Sequence, residues 1–290
     1  YHYIRPWKGT NVTVKRFADG AWKPVGERPS WAYLPALSAG AKALAVGWQY
    51  NPQKSHGVAP AVAMLAGDDW KQVGDHESLC VRDGRRTRER FLSLAWDAKD
   101  RLIAAWQEHK PDARGKTATP ERIQVRRLDD GKWVKLGDAA TRADRARAVS
   151  YAMTVHGDAP VVAACEGADA GRAKLSVRIW QGGKWVKLGD GPLNVLGKGG
   201  GALKPTLASD GKVLYVAWPE FLPGRRPLLF VKQWDGRKWT LIGGPLNAAP
   251  GKGAAHRPTM AIMGGKPVVA WTEYDPDSGR MRQVRIKRLK

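Results

Sequence analysis

Long apolar runs are missing from this chain of 290 residues, and nothing approaches the roughly 18 residues of a membrane-spanning helix. No stretch carries a sustained helical apolar period either, which argues against a helical fold. Acidic residues are scarce. The 27 Asp and Glu stand against 49 Lys and Arg, a formal net charge of +22, which favours partners carrying negative charge and also keeps a chain soluble. No module interleaving aromatic and basic residues is visible, so specific nucleic-acid binding is not expected. The six histidines are scattered and none has a second at metal-ligand spacing, so neither metal nor cofactor is expected. The motifs G-x-S-x-G, the P-loop and a strand–helix G-x-G-x-x-G are all absent. Phenylalanine is rare, four residues against fourteen tryptophans, which suits a chain that packs with indoles. The two cysteines, Cys80 and Cys165, leave two outcomes open: a disulfide, or a buried free Cys165 with an exposed Cys80, the latter preferred. The chain begins at Tyr1 rather than Met, as a processed or trimmed N-terminus would, and removal of a signal peptide is one expected source.

What the chain does have is a repeat. GKWVKLGD occurs at 131–138 and again at 183–190. It belongs to a unit whose last piece opens on Trp22, Trp70, Trp133, Trp185 and Trp239. The piece before it reads VTVKRF, IQVRRL, LSVRIW and LFVKQW, and returns near the C-terminus as VRIKRL. Two further apolar pieces precede it, seen best in Pro205–Ala208 with Val213–Trp218. Short pieces rich in Val, Leu, Trp and Tyr, separated by Gly and Asp, are strands. Four strands in a unit of this size fit a β-propeller blade. The expected fold is therefore an all-β, single-domain propeller over 1–290 with four-stranded antiparallel blades. Five blades are preferred and six are the alternative, with the last blade closed by the N-terminal strand Ala21–Gly26. In the third strands Val14, Val125, Val177, Val231 and Ile286 should face inward.

Connections divide by length. The first-to-second and third-to-fourth turns are short and Gly-containing, whereas the other two classes are long. In an up-and-down blade these classes emerge on opposite faces, and elaborated loops on a rigid scaffold usually carry function. The long-loop face is therefore the expected binding surface. Its basic residues include Arg82, Arg85, Arg86, Arg88, Arg114, Arg145, Arg225, Arg226, His256 and Arg257. Guanidinium forks suit phosphate, sulfate or carboxylate groups. Glu108, Glu220 and Glu273 recur in W-x-E at the exit of the second strand, where they either accept from a ligand or, preferably, fasten the next loop. First strands and their entry loops offer Arg, Lys, Ala and Pro rather than paired acids, so no catalytic residue is expected.

The pattern W-x-x-L-G-x-x-L-N … P-x-L-A … V-A-W-x-E resembles that of secreted bacterial β-propeller proteins, and covers Lys174–Glu273 well. Such proteins are similar in shape to sialidases and tachylectin-type propellers. The resemblance implies an extracellular, periplasmic or cell-surface location and a binding role more often than catalysis. The sialidase box S-x-D-x-G-x-x-W is not matched: Asp130-Gly131 and Asp235-Gly236 lie too close to Trp133 and Trp239. These readings converge on a non-catalytic propeller, not an enzyme, docking on a protein or assembly with an acidic surface. A lectin for acidic or neutral glycans is the alternative, and a sialidase-like hydrolase the more distant one.

Overall fold

The computed structural model describes residues 11–26, 32–50, 59–74, 88–109, 122–137, 147–168, 170–197, 199–274 and 282–289. Packing divides the chain into two compact units, Tyr1–Asp138 and Ala139–Lys290. In the first, β1 (Lys15–Ala18) and β2 (Ala21–Pro24) form a two-stranded sheet. Next come β3 (Ala32–Ala39), β4 (Leu44–Tyr50), β5 (Ala59–Ala66) and β6 (Asp69–Gln72), then β7 (Arg88–Trp96), β8 (Leu102–His109), β9 (Arg122–Asp129) and β10 (Lys132–Lys135). Each of these sets is one four-stranded sheet.

The second unit opens with β11 (Arg147–His156), β12 (Ala159–Gly167), β13 (Lys174–Gln181) and β14 (Lys184–Lys187). In its next sheet β15 (Gly201–Ala202) and β16 (Thr206–Ser209) share one partner, β17 (Leu214–Phe221), followed by β18 (Leu228–Trp234) and β19 (Trp239–Leu241). A three-stranded sheet of β20 (Ala254–Met263), β21 (Lys266–Tyr274) and β22 (Arg282–Arg288) ends it. Every pairing is antiparallel and, apart from that of β15 with β17, joins strands consecutive in the chain. The protein is all-β, and its four-stranded antiparallel sheets are those of a β-propeller blade.

Burial explains the composition of the strands. Residues Leu102–Glu108 of β8, Pro160–Cys165 of β12 and Leu214–Glu220 of β17 are buried throughout. A strand covered on both faces loses the polar half of its alternation, hence LIAAW, PVVAAC and LYVAW. In the second unit Leu175, Val177, Val216, Trp218 and Phe230 share one core cluster, and Leu229, Val231, Val269 and Trp271 share another. In the first, Ala45, Val62, Leu102, Trp106 and Trp133 pack together.

Among the described residues Ala21–Pro24 pairs with β1, with Phe17 opposite Trp22. Asp19 and Gly20, at φ 51° and 73°, make the two-residue hairpin turn that favours this local partner. Closing so short a loop costs far less entropy than joining the chain ends. In β22, Ile286 is 70% exposed rather than inward-facing; the strand is the edge of a three-stranded sheet, and among the described residues no fourth strand follows it.

The W-x-x-L-G element has a mechanical meaning. Trp70 Nε1 donates to Val25 O at 2.7 Å, Trp133 Nε1 to Val73 O at 3.0 Å, and Trp239 Nε1 to Leu188 O at 2.9 Å. Each acceptor is the aliphatic residue of the preceding repeat's own W-x-x-L-G, and the glycine after it lies under the incoming ring. A Cβ on Gly74 would collide with the Trp133 pyrrole, and one on Gly26 with that of Trp70. One sheet's last turn thus seats the next sheet's indole.

Candidate functional site

The carboxylates of W-x-E lie inside the fold. Glu220 is fully buried; its Oε2 accepts from Val195 N at 2.8 Å and Trp218 Nε1 at 3.0 Å, and its Oε1 from Leu196 N at 2.8 Å. Glu273 repeats the arrangement one sheet later, with Ala248 N at 3.0 Å, Ala249 N at 3.4 Å and Trp271 Nε1 at 2.9 Å. Glu108 is buried too and accepts from Gln124 Nε2 at 2.7 Å. The asparagines of G-P-L-N complete the fastening. Asn194 Oδ1 accepts from Leu175 N, and Asn247 Oδ1 from Leu229 N, both at 2.9 Å. Their amides donate back to Gly200 O and Gly253 O at 3.1 Å. These groups fix the long fourth-to-first loops against the exit of the second strand. In the second unit this puts the loops at 190–203 and 243–253 at one end of the sheets, beside the connection at 222–227.

The feature missed from sequence is a bulge in the first strand. In β3, β7 and β20 two residues oppose a single tryptophan of the neighbouring strand: Leu34 and Pro35 face Trp48, Phe91 and Leu92 face Trp106, and Arg257 and Pro258 face Trp271. Between β15 and β16 the residues 203–205 face Trp218 and Pro219. At each bulge one non-glycine residue is left-handed: Leu34, Phe91, Lys204 and Arg257, with φ between 45° and 57°. Three of the four precede proline, which further disfavours the helical regions. In β11 the register also slips, at Val149, but the opposing position carries Cys165 instead of tryptophan and no left-handed residue occurs. Backbone in this region costs about 1–3 kcal/mol per residue, and such outliers concentrate at ligand sites. The bulge turns its side chain outward, so that Leu34 and Phe91 are 48% and 53% exposed, and Arg257 is exposed.

In the second unit basic and aromatic residues flank the bulges at the long-loop end. Lys204 N donates to Ser150 Oγ at 2.8 Å, tying its bulge to the first strand of the previous sheet. Arg257 follows His256, whose ring lies 6.4 Å from that of Phe221. The Arg226 guanidinium sits 4.9 Å above the Tyr274 ring, a cation–π contact. Arg225 and Lys252 are exposed nearby in sequence. With Glu220 and Glu273 committed to backbone donors, this end presents cations and rings. Carboxylate or sulfate groups on a ring-shaped ligand fit that chemistry.

Of the other expected residues, Arg82, Arg85, Arg86, Arg114, Arg145 and Cys80 lie outside the described residues, as does the side chain of Arg88. Cys165 is a buried free thiol, and burial pushes it up to about 12. Among the described residues no group of three or more His, Cys, Asp or Glu could hold a metal ion.

The sequence matches no family model and no curated protein. The structure is similar to solved ones. An α-L-arabinanase of Penicillium chrysogenum complexed with arabinobiose aligns over 95% of this chain and 85% of its own, at 11% identity and TM-score 0.56. An ulvan lyase of a polysaccharide lyase family aligns over 94% and 68%, at 10% identity and TM-score 0.61. The Trypanosoma rangeli sialidase aligns over 93% and 48%, at 13% identity and TM-score 0.58. This chain spans about half the length of the sialidases it resembles. At these identities the likeness is one of fold, that of sialidase-like propellers. It corrects the expectation of a non-catalytic scaffold, and with it the expectation that the chain is not an enzyme. That expectation rested on unlike loops and a first strand poor in acids. The same arrangement of sheets serves an arabinanase, sialidases and a polysaccharide lyase, so neither trait separates a docking propeller from a catalytic one.

Proposed function

We propose that the chain is a carbohydrate-active enzyme whose substrate is an anionic polysaccharide. The observation that carries this reading is the left-handed bulge that exposes Arg257 at the long-loop end, with half-buried Lys204 in the same backbone state one sheet earlier. The activities named for the structural neighbours support the carbohydrate class. The net charge of +22 supports an anionic member of it. In this reading Arg257 and Lys204 hold carboxylate or sulfate groups, and Phe221 and Tyr274 supply ring surfaces for the sugar. Such polymers are met outside the cytoplasm, which accords with an extracellular, periplasmic or cell-surface location.

The test is turnover of a panel of uronate-bearing, sulfated, sialylated and neutral polysaccharides. New reducing ends and the ultraviolet absorbance of unsaturated uronate are followed in parallel, so that hydrolysis and elimination are told apart. Cleavage of an acidic polymer, reduced at least tenfold by Arg257→Ala, is the expected result. Absence of cleavage across the panel overturns the reading.

A further inference from the structure

Tight turns occupy the opposite end of the sheets, where sequence reasoning places no site. In the second unit the first-to-second turns are compact: β11 to β12 and β20 to β21 each need only two residues. There His156 Nδ1 and Ser209 Oγ, from neighbouring turns, stand 2.8 Å apart. In the first unit the turn from β7 to β8 takes five residues, 97–101. Hairpin closure does not need that length. The excess opens a cleft of about 540 Å³ against the turn from β3 to β4, within the size range of small-ligand sites.

Hydrogen bonds within the 97–101 turn and across to the 40–43 side fix the shape of the cleft. Asp97 Oδ1 accepts from Lys99 N and Arg101 N, both at 3.0 Å, while Asp97 Oδ2 takes Arg101 Nε at 2.7 Å. Asp100, left-handed at φ 60°, reaches across to accept from Ala41 N at 3.0 Å through Oδ1. Trp96 Nε1 donates to Ser38 O at 3.2 Å. Gly40 lies so close to the Trp96 ring and the Asp100 carboxylate that a Cβ there would meet both. The lining then offers part of the Trp96 indole, alanine methyls, the Asp100 carboxylate, and Lys42 and Lys99, both exposed.

We infer that this cleft is a second saccharide-binding site, taking a sugar residue that bears a carboxylate or sulfate. The apolar face of the sugar lies on Trp96 and the methyls, Asp100 accepts from hydroxyls, and Lys42 and Lys99 pair with the anion. The ligand class rests on the proposed function; the cleft itself does not.

The probe is a short oligosaccharide of alternating glucuronate and 3-sulfated rhamnose, the repeat bound in an ulvan lyase structure. Binding is measured by calorimetry on the full chain carrying Lys204→Ala and Arg257→Ala, which silences the long-loop end. Residual binding that weakens at least tenfold in Lys42→Ala/Lys99→Ala is expected, because exposed lysines leave the fold intact. Asp100→Asn, which still accepts from Ala41 N, should also weaken it. Absent binding, or binding indifferent to these changes, overturns the cleft. Polymer cleavage by the wild type reports separately on the proposed function, so either idea can fail while the other stands.

Discussion

Trp271 Nε1 donates to Glu273 Oε2 at 2.9 Å, two residues on along the same face of β21, and Trp218 does the same to Glu220 in β17. The pair makes a buried carboxylate affordable in a covered strand. Its charge is met by the indole and by two loop amides, so the loop cannot leave without orphaning a buried anion.

Replacing Glu220 by Ala should therefore destabilise the protein by about 3 kcal/mol, with the loop amides losing their acceptor. Glu220→Gln should cost less, since its amide oxygen still accepts. Urea unfolding of both variants is the check, and equal stability to wild type would contradict the fastening role.

The tryptophan seats differ in depth. Trp133 is 4% exposed and bonded to Val73 O, whereas Trp22 is 66% exposed, with its ring edge-on to Phe17. Trp133→Ala should cost about 3–5 kcal/mol, as large core truncations do, and Trp22→Ala about 0.5 kcal/mol or less, as an exposed change. Gly74→Ala should resemble the former, because it strains a positive φ and strikes the Trp133 ring. Similar melting temperatures for the two tryptophan variants would refute the seat.

The thiol of Cys165, fully buried and raised to about 12, should resist maleimide in the native protein and react on denaturation. A Cys80→Ser background isolates the signal. Prompt native labelling would place Cys165 at the surface.

Burial holds the His156 imidazole below its ordinary 6.5, against an opposing pull from Asp210. As pH falls, the unfolded chain takes up this proton before the folded one does. The His156 contribution is thus fully present above pH 6.5 and is lost as the pH drops from there toward the folded value. His156→Gln should flatten the acid limb of the urea midpoint plotted against pH. A limb identical to wild type would remove His156 from the transition.

The repeat is legible in sequence because its anchors obey period and packing together. Trp70, Trp133 and Trp239 announce fourth strands, and VAW and AAC announce strands covered on both sides. The loop fastening is legible in part, since Glu220 and Glu273 recur at fixed distance from Trp218 and Trp271. The bulges were not. Leu34, Phe91, Lys204 and Arg257 share one backbone state, yet nothing in their chemistry marks it, because left-handed residues are ordinarily glycine or asparagine. Only the paired register, two residues against one indole, reveals them. The pairing of Ala21–Pro24 with β1 follows from the two-residue turn between them rather than from the repeat. The cleft between the turns 40–43 and 97–101 was invisible because it depends on turn length in adjacent repeats rather than on any motif.

Each Trp-seating turn has a genealogical corollary. A unit that carries both a plug for its predecessor and a socket for its successor is self-fitting, so copying it whole creates no new mismatch. Lineages built this way can gain or shed units while the joint stays the same, leaving selection free to rewrite the outward-turned residues one copy at a time.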